Sequence, residues 1–228
     1  MKKKITPILF AKNIFSFNRS LSGEGNRKTL KEIKKVCSKL KIRKFFSNQK
    51  VYDWKIPLEW NVKEAYLIDP KGKKICSFNE NNLHLVGYSH PQNKIINLYN
   101  LQNHLHSLPK KPKAIPYVTS YYEKNWGFCI SHEERKKLID GNYKVFIDSE
   151  LKKGVLNYGE IFLKGKSSKE VFFSTYICHP SMANNETSGI TVNVFLAKLL
   201  SKKKLYYSYR FVFLPETIGS IAYINKNL

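Results

Sequence analysis

Residues 171–215 constrain what this chain can fold into more than any other stretch. VFFSTYIC at 171–178 is a nearly continuous apolar run, the pattern of a strand buried on both faces. ETSGITVNVFLAKLLSKKK follows it, with Ile190, Val194, Ala197 and Leu200 on one face of a helix. Lys202, Lys203 and Lys204 stand where that helix should end, a position where cations complement the helix dipole. YSYRFVFLP at 207–215 is a second buried-strand pattern. Strand, helix and strand in this order predict a βαβ unit and a mainly parallel sheet of the α/β class.

In open α/β sheets ligands sit just beyond the carboxyl ends of the strands. His179 directly follows the first strand, and Pro180, Ser181, Asn184, Asn185 and Glu186 come after it; Glu216 directly follows the second. If the strands are parallel neighbours, an imidazole, a carboxamide and one or two carboxylates share one edge. Imidazole nitrogen and carboxylate oxygen are the ligands of a catalytic zinc. The same residues also have a plain structural reading. A histidine after a strand serves as hydrogen-bonded scaffold, and Glu216 can cap a helix beginning near Ile218. Asn184 and Asn185 can shape the turn into the helix. Spacing alone favours that structural reading.

The rest of the chain divides by texture. In NRKTLKEIKKVCSKL at 26–40, Leu30, Ile33, Val36, Cys37 and Leu40 recur at helical spacing. The Gly-punctuated SLSGEG precedes this helix, and Ile42–Phe46 is a strand candidate after it. From residue 50, short apolar runs broken by Pro and by the turn DPKG suggest β-strands with tight turns. LPKKPKAIPY is an extended connection. SHEERKKLIDG predicts a short helix, with Ser131 and Glu134 forming a capping box and Gly141 ending it. YKVFIDSEL and LNYGEIFLKG read as the two strands of a hairpin. The domain boundaries expected are therefore 1–49 with 143–228 for the α/β part and 50–142 for a small β-rich module inserted in it.

Composition narrows the function classes. The chain is 42% hydrophobic over 228 residues, with 14 Tyr and 14 Phe, so a sizeable core can form and disorder is excluded as a class. The formal net charge is +23, from 40 Lys and Arg against 17 Asp and Glu, which raises nucleic acid as a partner. The excess is scattered from Lys2 to Lys226 without a binding motif, so a solvated surface is expected and nucleic-acid binding is not. The cysteines are Cys37, Cys76, Cys129 and Cys178, with no CxxC pair, which fits a reduced, cytoplasmic setting. MKKKITPILFAKNIFSF imitates a signal peptide, but Lys12 and Asn13 break its apolar run. No segment is long and apolar enough to cross a bilayer, so no membrane is expected. His104 and His106 form an alternating pair without a third ligand nearby in sequence, and Trp54, Trp60 and Trp126 are expected to pack the small module.

STYICHPSMANNETSG followed by YRFVFLPETIGSIAY resembles a bacterial family of aminopeptidase-like proteins related to the zinc aminopeptidases of metallopeptidase family twenty-eight, often linked to polysaccharide biosynthesis. SLSGEGNRKTL, KVYDWKIPLEWNVKEAYLIDPKGKKI, NLHLVGYSHP, HLHSLPKKPKAIPYVTSYYEKNWGFCISHEE and LNYGEIFLKG resemble the N-terminal half of that family, in order. The resemblance implies an aminopeptidase α/β domain with a swivelling β-rich module inserted at roughly 50–142 and, in such proteins, a C-terminal winged helix. It implies a zinc site of one or two ions. By position His179 matches a metal-binding histidine, and Asn185 stands where an aspartate bridges two metals, with Glu186 adjacent. Glu216 matches the site of a glutamate that acts as general base or metal ligand. The implied substrate is a small peptide or amide with a free amino end.

Two residues depart from the family's pattern. Asn185 is a neutral carboxamide where a bridging carboxylate is expected. Ser181 replaces the aspartate that usually stands two residues after the histidine and orients its ring. IGSIAYINKNL after Glu216 holds neither Asp nor His, so residues 1–228 alone are expected to be an incomplete, inactive catalytic unit. The leading expectation is an aminopeptidase-like metallohydrolase. The alternative is a non-catalytic binding or regulatory protein that keeps the fold. Oligomerisation is left open.

Overall fold

The computed structural model describes residues 5–227; Lys2, the first of the scattered lysines, and Leu228 lie outside them. In chain order the elements begin α1 (Pro7–Phe15), α2 (Glu24–Val36), β1 (Lys41–Phe46), β2 (Lys50–Val51), β3 (Trp54–Lys55), β4 (Glu59–Ile68), β5 (Lys74–Ile75), β6 (Gln92–Asn97), α3 (Leu98–Leu101) and β7 (Leu105–His106). They continue with β8 (Phe128–Cys129), α4 (His132–Arg135), β9 (Asn142–Lys152), β10 (Val155–Leu163), β11 (Glu170–Tyr176), α5 (Ser188–Leu200), β12 (Ser208–Leu214) and α6 (Ile218–Asn227). Two compact units result: Met1–Glu59 with Lys153–Leu228, and Trp60–Lys152.

The first unit is built on a four-stranded sheet in the order β1-β10-β12-β11. β11 and β12 run parallel, as the βαβ pattern requires, while β1 with β10 and β10 with β12 are antiparallel, so the sheet is mixed. Side chains alternate across it, as the two-residue period of a strand dictates. Ile161, Leu163, Phe211 and Phe213 join Phe10, Ile14, Leu30, Ile33, Val36, Ile190, Val194 and Ala197 from α1, α2 and α5 in one core. Leu156, Tyr158, Val212 and Leu214 point the other way, into a second core with Phe45, Val51, Ile56 and Ala222. Burying each such side chain contributes about 1.5–3 kcal/mol. α2 lies close on β10 because residue 159 is glycine: a Cβ there would sit 2.8 Å from methyls of Leu30 and Leu40.

Two strand expectations change. The run at 171–178 was expected to be buried on both faces, yet β11 is an edge strand whose residues alternate between exposed and half-buried. An apolar run reports hydrophobicity, not the number of neighbouring strands. The segments expected to form a hairpin belong to different sheets: β9 lies beside β4 and β6, and β10 beside β1 and β12. The N-terminal segment, which carried only a signal-like pattern, is helical from Pro7 to Phe15. Thr6 Oγ1 accepts from Leu9 N, Pro7 opens the helix, and Phe10 and Ile14 are buried.

The second unit has a sheet in the order β5-β4-β9-β6, with β6 and β9 antiparallel. Tyr143, Val145 and Ile147 alternate inward along β9, as do Ala65 and Leu67 on β4. Trp60 stacks on Tyr88 and donates Nε1–H to Ser89 O at 3.0 Å. Trp126 stacks on His104 at 3.7 Å between ring centroids; both tryptophans pack this unit, whereas Trp54 packs the second core of the first unit. Ser131 caps the helix as expected, but the reciprocal bond comes from its hydroxyl: Oγ accepts from Glu134 N at 3.2 Å and donates to Glu134 Oε2 at 2.6 Å. The helix it starts is one turn, His132–Arg135, shorter than the sequence pattern suggested.

Candidate functional site

The register of the parallel pair sets the site. Tyr176 pairs with Leu214 at the end of the β11–β12 ladder, and Ile177 N donates to Leu214 O at 3.0 Å just beyond it. His179 and Glu216 therefore leave the sheet at the same edge, and His179 Nε2 lies 3.3 Å from Glu216 Oε2. Cys178 ties the two strand ends together, its Sγ accepting from Glu216 N at 3.2 Å. Burial, and then the Glu186 charge, push its thiol pKa up, so Cys178 stays a neutral thiol.

After His179 the chain turns through Ser181, which has φ 50°. It then enters a π-type turn over Ala183–Thr187, with Thr187 N donating five residues back to Met182 O at 3.1 Å. Such turns widen a helix start and recur at functional sites. This one rotates Glu186 inward, at 1% exposure, and leaves Asn184 and Asn185 exposed. Glu186 Oε2 accepts from His179 N at 2.6 Å and lies 2.7 Å from His179 Nδ1. Its other oxygen, Oε1, accepts from Arg19 Nε at 2.9 Å. The carboxylate is thus committed on both oxygens to protein partners.

Arg19 is the residue the sequence reading missed. It lies 160 positions from His179 in the chain, in a loop with no motif of its own. It is 1% exposed, and it donates also to His179 O at 3.1 Å, to Thr187 Oγ1 at 3.3 Å and to Ile14 O. Burial pulls its pKa down while the Glu186 carboxylate pulls it up; an arginine so paired remains charged. Asn26 fastens the same loop, donating to Ser20 O at 2.7 Å and to Ile177 O at 3.0 Å. Ser181 N donates to Phe15 O at 3.1 Å. Residues 15–26 thus form the wall behind His179.

Of the predicted residues, His179, Glu186 and Glu216 come together, while Asn185 is exposed on the π-type turn. Among the described His, Cys, Asp and Glu residues, Cys178, His179 and Glu186 have potential ligand atoms within 4.8 Å of one another. The His104 and His106 pair serves elsewhere: His104 Nδ1 lies 3.1 Å from Trp126 O, and burial lowers the pKa of both rings. A cavity of about 400 Å³ in the second unit, lined in part by Lys71, His84 and Glu134, holds none of the predicted site residues.

Residues 9–228 match a protein family described as a domain of unknown function (DUF4910). The chain belongs to that family. This DUF4910 chain is 46% identical over 214 residues to a Clostridium acetobutylicum protein named for polysaccharide biosynthesis with an aminopeptidase-like domain. The match takes in 94% of this chain and 49% of the relative, so the chain spans about half the length of the curated relative it matches. A crystal structure of a protein described as a peptidase, from Clostridium acetobutylicum, superposes with a TM-score of 0.94 at 45% identity over 97% of this chain and 52% of that one. A zinc aminopeptidase from Bacillus subtilis gives a TM-score of 0.60 at 13% identity, covering 100% of this chain and 66% of its own. A peptidase M28 precursor from Shewanella amazonensis gives 0.61 at 12%, covering 96% and 66%. The DUF4910 chain therefore has a zinc-aminopeptidase-like α/β fold. Among its described residues no helix is long and apolar enough to cross a membrane.

Zinc takes imidazole nitrogen and carboxylate oxygen, usually from three protein residues plus water when catalytic. His179 Nε2 and Glu216 supply one atom of each kind, facing one another at the strand edge. The donor chemistry fits zinc, with two of the usual three protein ligands in place.

Proposed function

We propose that this chain forms the N-terminal part of an aminopeptidase-like metallohydrolase acting on a small peptide or amide with a free amino end. The observation that carries the reading is the approach of His179 Nε2 and Glu216 Oε2 to 3.3 Å at the carboxyl edge of the parallel strands. His179 would be a zinc ligand through Nε2. Glu216 has two roles open to it, second ligand or acceptor of a proton from water. Asn185 would hold a metal only through a neutral carboxamide oxygen, which favours one ion over two. A bound zinc would supply a water of lowered pKa and polarise the scissile carbonyl. The protein's own residues hold the imidazole in place and set a carboxylate beside it. Among the described residues His179 and Glu216 would be two of the about three protein ligands a catalytic zinc usually takes.

A second reading is a binding or regulatory protein that retains the fold, and one observation favours it: Glu186 is neutralised by Arg19 and Asn185 is exposed. Metal analysis of the purified protein separates the two. The hydrolase reading expects zinc or another divalent ion near one equivalent, lost in His179→Ala. Protein free of metal that also fails to take up added zinc, cobalt or manganese favours the second.

A further inference from the structure

We infer that Glu186, gripped by Arg19, is the positioning residue that fixes which nitrogen of His179 carries hydrogen and where the other points. The inference rests on the zinc-site reading only for its functional meaning; the geometry stands alone. A carboxylate that receives Arg19 Nε–H on one oxygen and His179 N–H on the other has only acceptor character left. Its Oε2 lies 2.7 Å from His179 Nδ1, so Nδ1 must be the protonated nitrogen. Nε2, the atom facing Glu216, is then the nitrogen left to offer a lone pair to a metal. Both ends of the clamp are closed to solvent, with Arg19 and Glu186 side chains at 0% exposure. Arg19 also holds the His179 carbonyl, so backbone and ring of the same residue are fixed by one ion pair.

The clamp does here what the sequence left unassigned. Ser181, two residues after His179, has no carboxylate to offer the ring. The π-type turn brings one from position 186 instead, and the residue that charges and orients it comes from the loop before α2. A carboxylate behind a ligating histidine fixes the tautomer and raises its basicity, and its loss typically costs roughly 10–100-fold in metal affinity.

The test uses metal-free protein labelled with 15N-histidine and long-range 1H–15N correlation, which distinguishes protonated from unprotonated ring nitrogens. In the wild type His179 is expected to be protonated at Nδ1. In Glu186→Gln one acceptor oxygen must serve either Arg19 Nε–H or the N–H groups of His179, so the Nδ1–H···O bond is weakened and the Nδ1–H signature is expected to fall. The double variant Arg19→Met with Glu186→Leu removes the buried pair together and is expected to lose that signature. Cobalt affinity, measured by titration, should fall roughly 10–100-fold in the double variant. A His179 unprotonated at Nδ1 in the wild type, or unchanged in the folded double variant, overturns the inference. A wild type that binds no cobalt sinks the zinc-site reading instead, and leaves the tautomer result to decide this one.

Discussion

Replacing Arg19 by alanine is the perturbation with the largest expected effect. The guanidinium is fully buried and donates to Glu186 Oε1, His179 O, Thr187 Oγ1 and Ile14 O. Its removal leaves a carboxylate in the interior with no cation and three further acceptors short of a donor. Breaking a buried ion pair from one side costs about 3–5 kcal/mol, and each buried group left unsatisfied about 1–3 kcal/mol. These overlap, since some acceptors keep other partners, so about 4 kcal/mol is expected. Against a domain stability of about 5–15 kcal/mol, that is between roughly a quarter and four-fifths of the whole. The two units need not unfold together, so the assay is native-state amide exchange read at β10 and β12, alongside guanidinium denaturation. Arg19→Met with Glu186→Leu should cost less than Arg19→Ala, because no lone charge is stranded. An Arg19→Ala protein within about 1 kcal/mol of wild type at those amides would refute the reasoning, since a structural anchor cannot be removed so cheaply.

Three further outcomes are expected. Gly25→Ala should destabilise the first unit by about 3 kcal/mol in the same exchange experiment, because the added Cβ would lie 1.9 Å from Asn18 O; a neutral effect would mean the loop before α2 shifts freely. Ser131→Ala should cost about 1 kcal/mol of the second unit's stability by thermal denaturation, since both bonds of the capping hydroxyl are lost. Burial lowers the pKa of His90, His104 and His106 from the ordinary 6.5, so below that pH the unfolded chain binds more protons than the folded one. The second unit should therefore be most stable above pH 6.5 and lose stability as pH falls through the folded values; a profile flat between pH 7 and pH 5 would contradict it.

What sequence could reveal here was local. The helix face of Leu30, Ile33 and Val36 and that of Ile190, Val194 and Ala197 are periodic patterns, and both face the core. The βαβ order placed His179 and Glu216 at one edge because a parallel pair has its carboxyl ends together. What escaped depends on long-range closure. Arg19 reaches Glu186 across 167 residues, and a single arginine in a serine-rich loop carries no periodicity. The inward turn of Glu186 and outward turn of Asn185 depend on one extra residue in the first turn of a helix, a π-type register that identity alone does not disclose. β9 and β10 follow one another with only Lys153 and Gly154 between them, the spacing of a hairpin. Their partners are chosen by the two sheets, not by the turn.

The central claim is that His179 Nε2 and Glu216 form the metal-facing edge of an aminopeptidase-like fold. Cobalt titration followed by visible absorption tests it most directly, because ligand-field bands report coordination and not mere association. One equivalent should bind to the wild type, with bands lost in His179→Ala, altered in Glu216→Ala and unchanged in the remote His104→Ala. Bands that survive His179→Ala unchanged would place any metal elsewhere and contradict the account.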